Sequence, residues 1–535
     1  MLHIEGRQGG QKNSSTLILK SLLVCFSLLM LGCTDLSLRS KKDLSLDTFK
    51  EMKVDEYALS SQSFRENLEH FCVNEKGHTF AATRLRHYYS HGGPLVWVDK
   101  WGADSRADSL VAVLERLVPE IGFSEKLFRL ADIKADLHRL QVLQFDDSNS
   151  ISLVLARLEY NLSRAYLTYV TGQRFGFVNP DNVLNRYDAR DKDSTGRVIA
   201  YRHLYDVNIE CPTDSFLKVA LGHVTVDSLG TFLRRVEPSV PLYSRLRQML
   251  KEKTDSQRQR ILVNMERCRW RDRIQPQSGQ KYIVVNVPAY HLWAVSPDTI
   301  VDMRAACGAL KTKTPLLSSR ITHMQVNPEW VIPMSIIRDD VARHGGDFGY
   351  FARHRYYISE RKTGKRLSPD EVTPAMLRSG NYRVSQEGGA GNSLGRIIFR
   401  FPNNFSVFLH DTSSPGVFQR DNRGVSHGCV RVQRPFDLAV FLMEENPDPQ
   451  LLDKLRISMG MSPETDWGRD QLDLLDPAEK TPKLVRSITV SPRVPIIITY
   501  YTIFQAPDGS IHNFPDVYGY DRAISEALKP YVNND

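Results

Sequence analysis

One stretch of the sequence carries residues that together can perform acyl transfer. His410 ends a strand-like run, and Cys429 begins another after Ser426-His427-Gly428. A cysteine is a strong nucleophile only as its thiolate, and a nearby imidazole can accept the thiol proton. Neighbouring strand ends would bring the two side chains together. The main-chain amides of Gly428 and Cys429 would then stabilise the oxyanion that forms when the thiolate attacks a carbonyl.

Three other interpretations of this stretch stay open. A free cysteine is often only a small buried hydrophobic residue. Residues 424–428 also fit the G-x-S-x-G elbow of serine hydrolases with Ser426 as nucleophile, although that motif needs a helix after the serine and a strand-like run follows here. His410, His427 and Cys429 would be zinc ligands in the third interpretation, but the sequence shows neither a fourth ligand nor a paired Cys/His spacing.

The order of these residues resembles a bacterial cell-wall family. His410 followed by Ser-His-Gly-Cys-Val-Arg at 426–431 is similar to the signature of the L,D-transpeptidase catalytic domain of the YkuD type. The resemblance covers about 279–460 and the C-terminal strands, and further stretches are similar to the large, multi-domain branch of the family. These stretches are Val-Asn-Val-Pro at 285–288, Asn-Pro-Glu-Trp-Val-Ile-Pro at 327–333, Asn-Ser-Leu-Gly-Arg at 392–396, Val-Tyr-Gly-Tyr-Asp at 517–521 and, more loosely, Asn-Met-Glu-Arg at 264–267.

The resemblance implies a role for each residue of the signature. Cys429 would be the nucleophile and His410 the general base. The oxyanion and orienting groups would be Ser426, His427, Gly428 and the main-chain carbonyl of Asp411. The implied substrates are peptidoglycan stem peptides, and carbapenems are the implied covalent inhibitors. Attack at the third stem residue would leave a thioester, which a second stem resolves into a 3→3 cross-link or water hydrolyses. No metal, nucleotide or other cofactor is required.

Cationic and aromatic side chains near the signature are candidates for substrate binding. Arg431 either supports the loop or binds a substrate carboxylate. The further candidates are Asn392, Arg396, Arg383 and Trp330. Several cations lie in one Gly-, Arg- and His-rich segment and suit the carboxylates of stem peptides, although solvated surface charge is the alternative for each of them: Arg343, His344, Arg353, His354 and Arg383.

The elements that must position these residues change character along the chain. Residues 76–278 follow a helical period and predict a helical scaffold, with Gly172 as a plausible helix C-cap. From 279 the period is that of strands, which predicts an α+β protein with a mainly-β catalytic domain over 279–460. The segment 335–392 interrupts the strand pattern and is predicted to be a lid. Strands within 461–535 are expected to complete the catalytic domain.

The N-terminus predicts export. Residues 1–32 have a basic lead and an apolar run, as in a secretory signal, and Met-Leu-Gly-Cys at 30–33 resembles a bacterial lipobox. We therefore expect acylation of Cys33, a membrane anchor through that lipid, and a location in the periplasm or cell envelope. Residues 33–75 are polar and are expected to form a tether with little structure.

Composition excludes several classes of protein. At 41% hydrophobic and 25% charged residues, the 535-residue chain is neither disordered nor collagen-like. Apart from the signal, no apolar run approaches the ~20 residues of a membrane-spanning helix, which excludes a multi-span transporter. The net charge of +8 fits an acidic polymer such as the cell wall at least as well as nucleic acid, and a diffuse excess is often only a solubility feature. No cluster of basic and aromatic residues argues for nucleic acid. The seven cysteines form no CxxC pair.

Two rival functions share the same residues. One is hydrolysis at the same site, by an L,D-carboxypeptidase or by an enzyme that detaches wall-linked proteins. The other is a catalytically silent wall-binding lipoprotein. The sequence also departs from the family branch twice: a peptidoglycan-binding module is missing before residue 264, and Cys268 stands where a tryptophan is expected, as a core substitution. The oligomeric state is not indicated.

Overall fold

The computed structural model describes residues 59–74, 79–99, 102–226, 228–252, 255–476 and 482–532. The predicted signal, the lipobox at Cys33 and the tether up to residue 58 lie outside the described residues. The rest of the predicted tether is not irregular, because a helix over Ser61–Asn74 buries apolar side chains at four-residue spacing, namely Phe64, Leu68 and Cys72. In the described ranges, no helix has the length and apolarity needed to cross a membrane.

Helices dominate the described residues from 59 to 269. They are α1 Ser61–Asn74, α2 Phe80–Ser90, α3 Ser105–Glu120, α4 Leu130–Val142, α5 Ile151–Phe175, α6 Pro180–Leu184, α7 Asp214–Thr225, α8 Leu229–Arg235, α9 Pro241–Glu252 and α10 Asp255–Arg269. The short strands of this half are β1 Val98–Asp99, β2 Gly102–Ala103, β3 Ala189–Lys192, β4 Val198–Tyr201 and β5 Tyr205–Asp206. The predicted cap at Gly172 is wrong, because α5 continues to Phe175 and Gly176 follows it with a φ of +99°.

Strands dominate the chain after residue 280. They are β6 Tyr282–Asn286, β7 His291–Val295, β8 Ile300–Gly308, β9 Leu316–Val326, β10 Trp330–Val331, β11 Tyr356–Glu360, β12 Arg366–Leu367, β13 Tyr382–Gln386, β14 Ile397–Arg400, β15 Leu409–His410, β16 Gly424–Ser426, β17 Val430–Val432, β18 Ser487–Thr499, β19 Ile503–Gln505 and β20 Ile511–Asn513. The helices between them are α11 Met334–Asp339, α12 Phe348–His354, α13 Pro374–Arg378, α14 Pro435–Leu442, α15 Pro449–Met459 and α16 Asp466–Asp473, and α17 Tyr520–Leu528 follows the last strand. The predicted α+β class is confirmed.

The main sheet closes on itself. Its strand order is β14-β15-β17-β8-β7-β6-β18-β9, and β14 also pairs with β9 through Ile397 opposite Val326. Strand β5 pairs outside this ring with β9, and β16 pairs with β8. The apolar residues of these strands supply the core, since Ile283, Val285, Ile397 and Phe399 are fully buried.

Two β-rich runs of the sequence form strand over only part of their length. The run 405–410 contributes only β15, because the side chain of Asn403 folds the preceding residues into a turn by bonding the main chain of Phe405 and Val407. The run 496–504 is divided between β18 and β19, since the main chain at Thr502 bonds to the side chain of Asn264 instead of a strand.

The segment predicted as a lid has elements and a small core of its own. Strands β10, β13, β11 and β12 form one sheet in that order, so the expectation that the segment interrupts the strands is wrong. Its core includes Ile337, Phe351, Ile358 and Val384, all fully buried. Closure over a substrate stays a prediction.

The chain divides into two compact units. One holds the residues up to Arg174 together with Pro212–Glu237, and the other holds Phe175–Cys211 together with Pro238 onward. The second unit therefore includes 175–211 and 238–278, which the sequence assigns to the helical scaffold. The predicted domain boundaries stay a prediction.

Candidate active site

The strand pairing sets the spatial relation between His410 and Cys429. Strand β15 runs parallel to β17, with Leu409 opposite Val430 and His410 opposite Arg431. Cys429 directly precedes β17, and two residues along a strand return to the same face, so its side chain shares a face with those of Arg431 and His410. With the usual rise and strand spacing, the Cα atoms of His410 and Cys429 lie roughly 8 Å apart. The charge of Arg431 shifts the pKa of both side chains, which places both near its guanidinium.

The imidazole of His410 is buried and oriented by the main chain. Only 4% of the residue is exposed, and Nδ1 lies 2.5 Å from the carbonyl oxygen of Asp411. A carbonyl can only accept, so Nδ1 carries the proton and Nε2 keeps a lone pair. Burial, together with the positive charge of Arg431, lowers the pKa of His410 to about 4, and the carbonyls of Asp411 and Leu394 only partly oppose this. At neutral pH the imidazole is uncharged and able to take a proton.

The thiol of Cys429 is half-buried and free. Burial raises its pKa, while the main-chain N–H of Phe408 and the guanidinium groups of Arg400 and Arg431 act in the opposite direction. The resting site therefore holds a protonated thiol and a neutral imidazole that is able to accept a proton. All the cysteines in the described part of the chain are free, and the others are Cys72, Cys211, Cys268 and Cys307.

The loop before Cys429 is fixed by Ser426. The Ser426 hydroxyl accepts from the N–H of Gly428 at 3.1 Å and donates to the carbonyl of Cys429. Gly428 has a φ of +117°, a backbone conformation that side chains rarely adopt, whereas a Cβ there would meet no close contact. Glycine is therefore needed for the conformation and not for space.

These bonds correct one prediction about the oxyanion. The amide of Gly428 is buried and already donates to Ser426, so it is not a free donor here. The amide of Cys429 and the exposed side chain of His427 are the groups left to face an oxyanion. Ser426 itself is buried, and its hydroxyl is used within the loop, which is the arrangement of a supporting residue and not of a nucleophile.

A second segment supports the loop from outside, and sequence reasoning missed it. The carbonyl of Ser426 accepts from the N–H of Ala309 at 2.9 Å and from Oγ1 of Thr312 at 2.7 Å. Next to them, Lys313 is 5% exposed, pairs with Asp188 at 2.7 Å and lies over the rings of Tyr187, Tyr518 and Tyr520. No local sequence pattern predicts these contacts, because they join residues more than 100 positions apart in the sequence.

Asp411 has two separate roles. Its carbonyl orients His410, and its carboxylate accepts from the N–H groups of Arg396 at 2.7 Å and Thr412 at 2.6 Å. Gly395 lies against this carboxylate with a φ of +67°, and a Cβ there would come within 2.4 Å of it. The 395–396 turn is thereby held against the end of β15.

The guanidinium of Arg431 lies in the site without a carboxylate partner. Its Nε is buried and has no hydrogen-bond partner, and no Asp or Glu among the described residues forms an ion pair with it. Burial lowers the pKa of Arg431, and the sulfur of Cys429 opposes that change. A cation in this setting is suited to bind a carboxylate.

The other predicted substrate-binding residues are not gathered at the thiol. Asn392 is fully buried. Its side-chain amide donates to the carbonyls of Gln386 and Glu387 and accepts from the N–H of Leu394, so it offers no group to a substrate in this arrangement. Arg396 is half-buried and bonds to Asn327 at 3.3 Å. Trp330 packs against the core of the lid segment, and Arg383 is exposed on β13.

Two alternatives for the site do not fit the geometry. The serine elbow requires a helix after the serine, and the chain instead turns from β16 into β17. Within the described ranges, no group of three or more His, Cys, Asp or Glu residues is arranged to hold a metal ion.

A cavity of about 420 Å³ lies elsewhere in the same unit. Its lining includes Tyr205, Cys268, Trp270 and Tyr501, and neither His410 nor Cys429 lines it.

Two family profiles match the chain. Residues 280–489 match the L,D-transpeptidase catalytic domain, YkuD, and residues 83–250 match the profile named Scaffold domain. A curated relative from Haemophilus influenzae, described as "Putative L,D-transpeptidase", is 30% identical over 248 residues. That match covers 46% of this chain and 45% of the relative, so the chain matches less than half the length of the relative.

Solved structures of low similarity carry the same family name. An L,D-transpeptidase from Mycobacterium smegmatis is 13% identical over 41% of this chain and 58% of its own, with a TM-score of 0.18. L,D-transpeptidase 1 of Mycobacterium tuberculosis is 11% identical over 41% of this chain and 60% of its own, with a TM-score of 0.14. These scores are too low to support a conclusion about the arrangement of the whole chain.

Proposed function

Because the chain carries a catalytic domain of the L,D-transpeptidase (YkuD) family behind an N-terminal scaffold domain, we propose that it forms 3→3 cross-links between peptidoglycan stem peptides through a thioester on Cys429. The observation that carries the proposal is the pairing of β15 with β17, which sets the neutral imidazole of His410 opposite Arg431, whose guanidinium is unpaired, and two residues along from Cys429. The substrates, the product and the residue roles are part of this proposal.

The first half-reaction transfers the acyl group to the enzyme. Nε2 of His410 takes the proton of the Cys429 thiol as the sulfur attacks the carbonyl carbon of the third stem residue. The amide of Cys429 and the side chain of His427 face the oxyanion of the tetrahedral intermediate. The C–N bond to the terminal D-alanine then breaks, its nitrogen receives the proton from His410, and a thioester remains.

The second half-reaction releases the enzyme. A side-chain amine of another stem attacks the thioester carbonyl, His410 accepts the proton of that amine, and the thiolate leaves as the new amide forms. The acyl group stays activated as a thioester between cleavage of the first amide and formation of the second, so no nucleotide is consumed. Water in place of the amine would trim the stem and give the L,D-carboxypeptidase outcome.

Arg431 contributes charge to the proposed acyl donor site. Its unpaired, half-buried guanidinium is suited to hold a carboxylate of the donor stem close to the sulfur. The proposal also retains the cell envelope as location and Cys33 as lipid anchor, both of which follow from the N-terminal sequence alone.

The test is the product spectrum. The protein is incubated with purified tetrapeptide stems, and the products are identified by mass spectrometry, with Cys429→Ala as control. Stem dimers that lack one D-alanine support transfer, and tripeptides alone make the hydrolase assignment correct. Unchanged stems with both proteins would leave only the silent wall-binding role.

A further inference from the structure

A second guanidinium lies on the catalytic face and belongs to no motif considered so far. Arg400 ends β14, which pairs with β15 through Ile398 opposite His410 and Phe399 opposite Leu409. Arg400 is two residues from Ile398, so its side chain emerges on the same face as the imidazole. Three adjacent strands, β14, β15 and β17, therefore present Arg400, His410 and Arg431 to the same side of the sheet.

The position of the Arg400 guanidinium is fixed by an aromatic ring. Its Cζ lies 4.6 Å from the centre of the Phe408 ring, which in turn meets the His410 ring edge-on at 5.7 Å between centroids. Phe408 is also the residue whose main chain borders Cys429, since its carbonyl accepts from the N–H of Val430 at 3.2 Å. A cation seated on Phe408 is therefore held beside the sulfur.

No acidic side chain neutralises this cation. Among the described residues, no Asp or Glu forms an ion pair with Arg400, whereas ion pairs are common for arginines elsewhere in the same unit. An unpaired and half-buried guanidinium acts strongly on a nearby anion because the surroundings are poor in water. The anion that the proposed reaction creates next to it is the thiolate.

We infer that Arg400 stabilises the thiolate form of Cys429 during acyl transfer. This role rests on the proposed function. Arg400 acts on the sulfur through its charge, and it is neither the nucleophile nor the base.

Arg400 and Arg431 differ in their effect on the base. Both charges favour the thiolate and lower the pKa of Cys429, but Arg431 also lowers the pKa of His410, which disfavours the imidazolium that forms when the proton moves. The charge of Arg400 acts on the sulfur and favours the thiolate, whereas the two effects of Arg431 on the proton transfer partly cancel.

The groups around the thiol that bear on its titration come from every neighbouring element. The two whose charges shift its pKa are Arg400 on β14 and Arg431 on β17. The other charged or titratable groups of these elements are His410 on β15, His427 in the loop, the carboxylate of Asp411, and Lys313 after β8, whose ammonium is paired with Asp188. The carboxylate of Asp411 accepts from two main-chain N–H groups and forms no ion pair with Arg400.

The test is the pH dependence of Cys429 alkylation by iodoacetamide in the full chain, between pH 6 and 10. The thiolate attacks the methylene carbon, an S–C bond forms and iodide leaves, so the rate follows the thiolate fraction without any transpeptidase substrate. Peptide-resolved mass spectrometry separates Cys429 from the exposed Cys211, which serves as an internal reference. Labelling of the buried Cys268 and Cys307 would reveal loss of the fold.

Three variants give the comparison. Arg400→Gln should shift the Cys429 profile upward by about one pH unit and slow alkylation at pH 7.5 roughly tenfold. Arg400→Lys, which keeps the charge, should stay within about threefold of wild type, since only the planar contact with the ring is lost. Arg338→Gln removes an exposed charge on α11 and should leave the profile unchanged.

The results distinguish a failure of the inference about Arg400 from a failure of the proposed function. A profile of Arg400→Gln that overlays wild type, with Cys429 reactive in both, overturns this inference and leaves the proposed function standing. A shift of equal size in Arg338→Gln overturns it too, because the effect would then come from net charge. Failure of Cys429 to react at any pH in the folded wild-type protein overturns both.

Discussion

The buried imidazole of His410 makes the stability of the protein depend on pH in a calculable way. In the folded protein its pKa is about 4, and in the unfolded chain it returns to about 6.5. Between these values the unfolded state binds the extra proton, so the free energy of unfolding falls as the pH drops from 6.5 towards 4 and is unaffected by this group above about pH 7. At 1.36 kcal/mol for each pH unit, the loss at pH 4.5 is about 2.5 kcal/mol.

The assay compares wild type with His410→Gln, which cannot titrate. Urea-induced unfolding is followed by circular dichroism at pH 7.5 and pH 4.5. The fall in unfolding free energy between the two pH values should be about 2.5 kcal/mol smaller in the variant, because the contributions of all other groups cancel in the comparison. His512→Gln, which removes an exposed imidazole, should behave as wild type. Falls within about 0.5 kcal/mol of each other in wild type and His410→Gln would show that the imidazole is not held neutral in the folded protein.

Three further substitutions follow from the same contacts. Cys429→Ala should abolish acyl-enzyme formation, seen by mass spectrometry, while the circular dichroism spectrum stays that of wild type; residual acylation elsewhere would count against the assignment. Ser426→Ala leaves the amide of Gly428 and the carbonyl of Cys429 without their hydrogen bonds. The free energy of unfolding should therefore fall by about 2 kcal/mol, and acyl transfer should slow but persist. Complete loss of transfer in a folded variant would instead support Ser426 as the nucleophile. Lys313→Met leaves Asp188 without its cation and should lower the free energy of unfolding by about 2 to 4 kcal/mol, with a thermal shift as readout; no shift would mean that this ion pair does not support the fold.

The sequence predicts the framework of the site well, because strand period and motif spacing are local signals. The run that forms β6, the turn after it and β7 all follow from β-rich composition and a proline, and the structure has them at those positions. The expected nearness of His410 and Cys429 rests on two short strands, one that ends at His410 and one that begins directly after Cys429, and these two strands pair with each other.

The sequence does not predict which polar groups are already occupied. The hydrogen bond from the amide of Gly428 to Ser426 depends on the fold of a single loop. The support that Thr312 gives to the same loop depends on long-range pairing between β8 and β16. The position of Arg400 needs the register of β14 against β15, which periodicity alone cannot give.

Prediction from the sequence also fails in segments that lack a clear hydrophobic period. The helix α1 was hidden by its polar composition, although three apolar residues at four-residue spacing are enough to bury one face. The lid segment reads as an interruption because its strands are short, yet packing among Ile337, Phe351 and Val384 gives it a core.

The central claim is that Cys429 carries the acyl group, and the direct measurement is the mass of the covalent adduct. The wild-type protein is incubated with a tetrapeptide stem, and in parallel with a carbapenem, then quenched in acid and mapped by peptide mass spectrometry. We expect a tripeptide thioester and a carbapenem adduct, each on the peptide that contains Cys429 and each absent from Cys429→Ala. An adduct on Ser426, or none on a folded protein, would contradict the account.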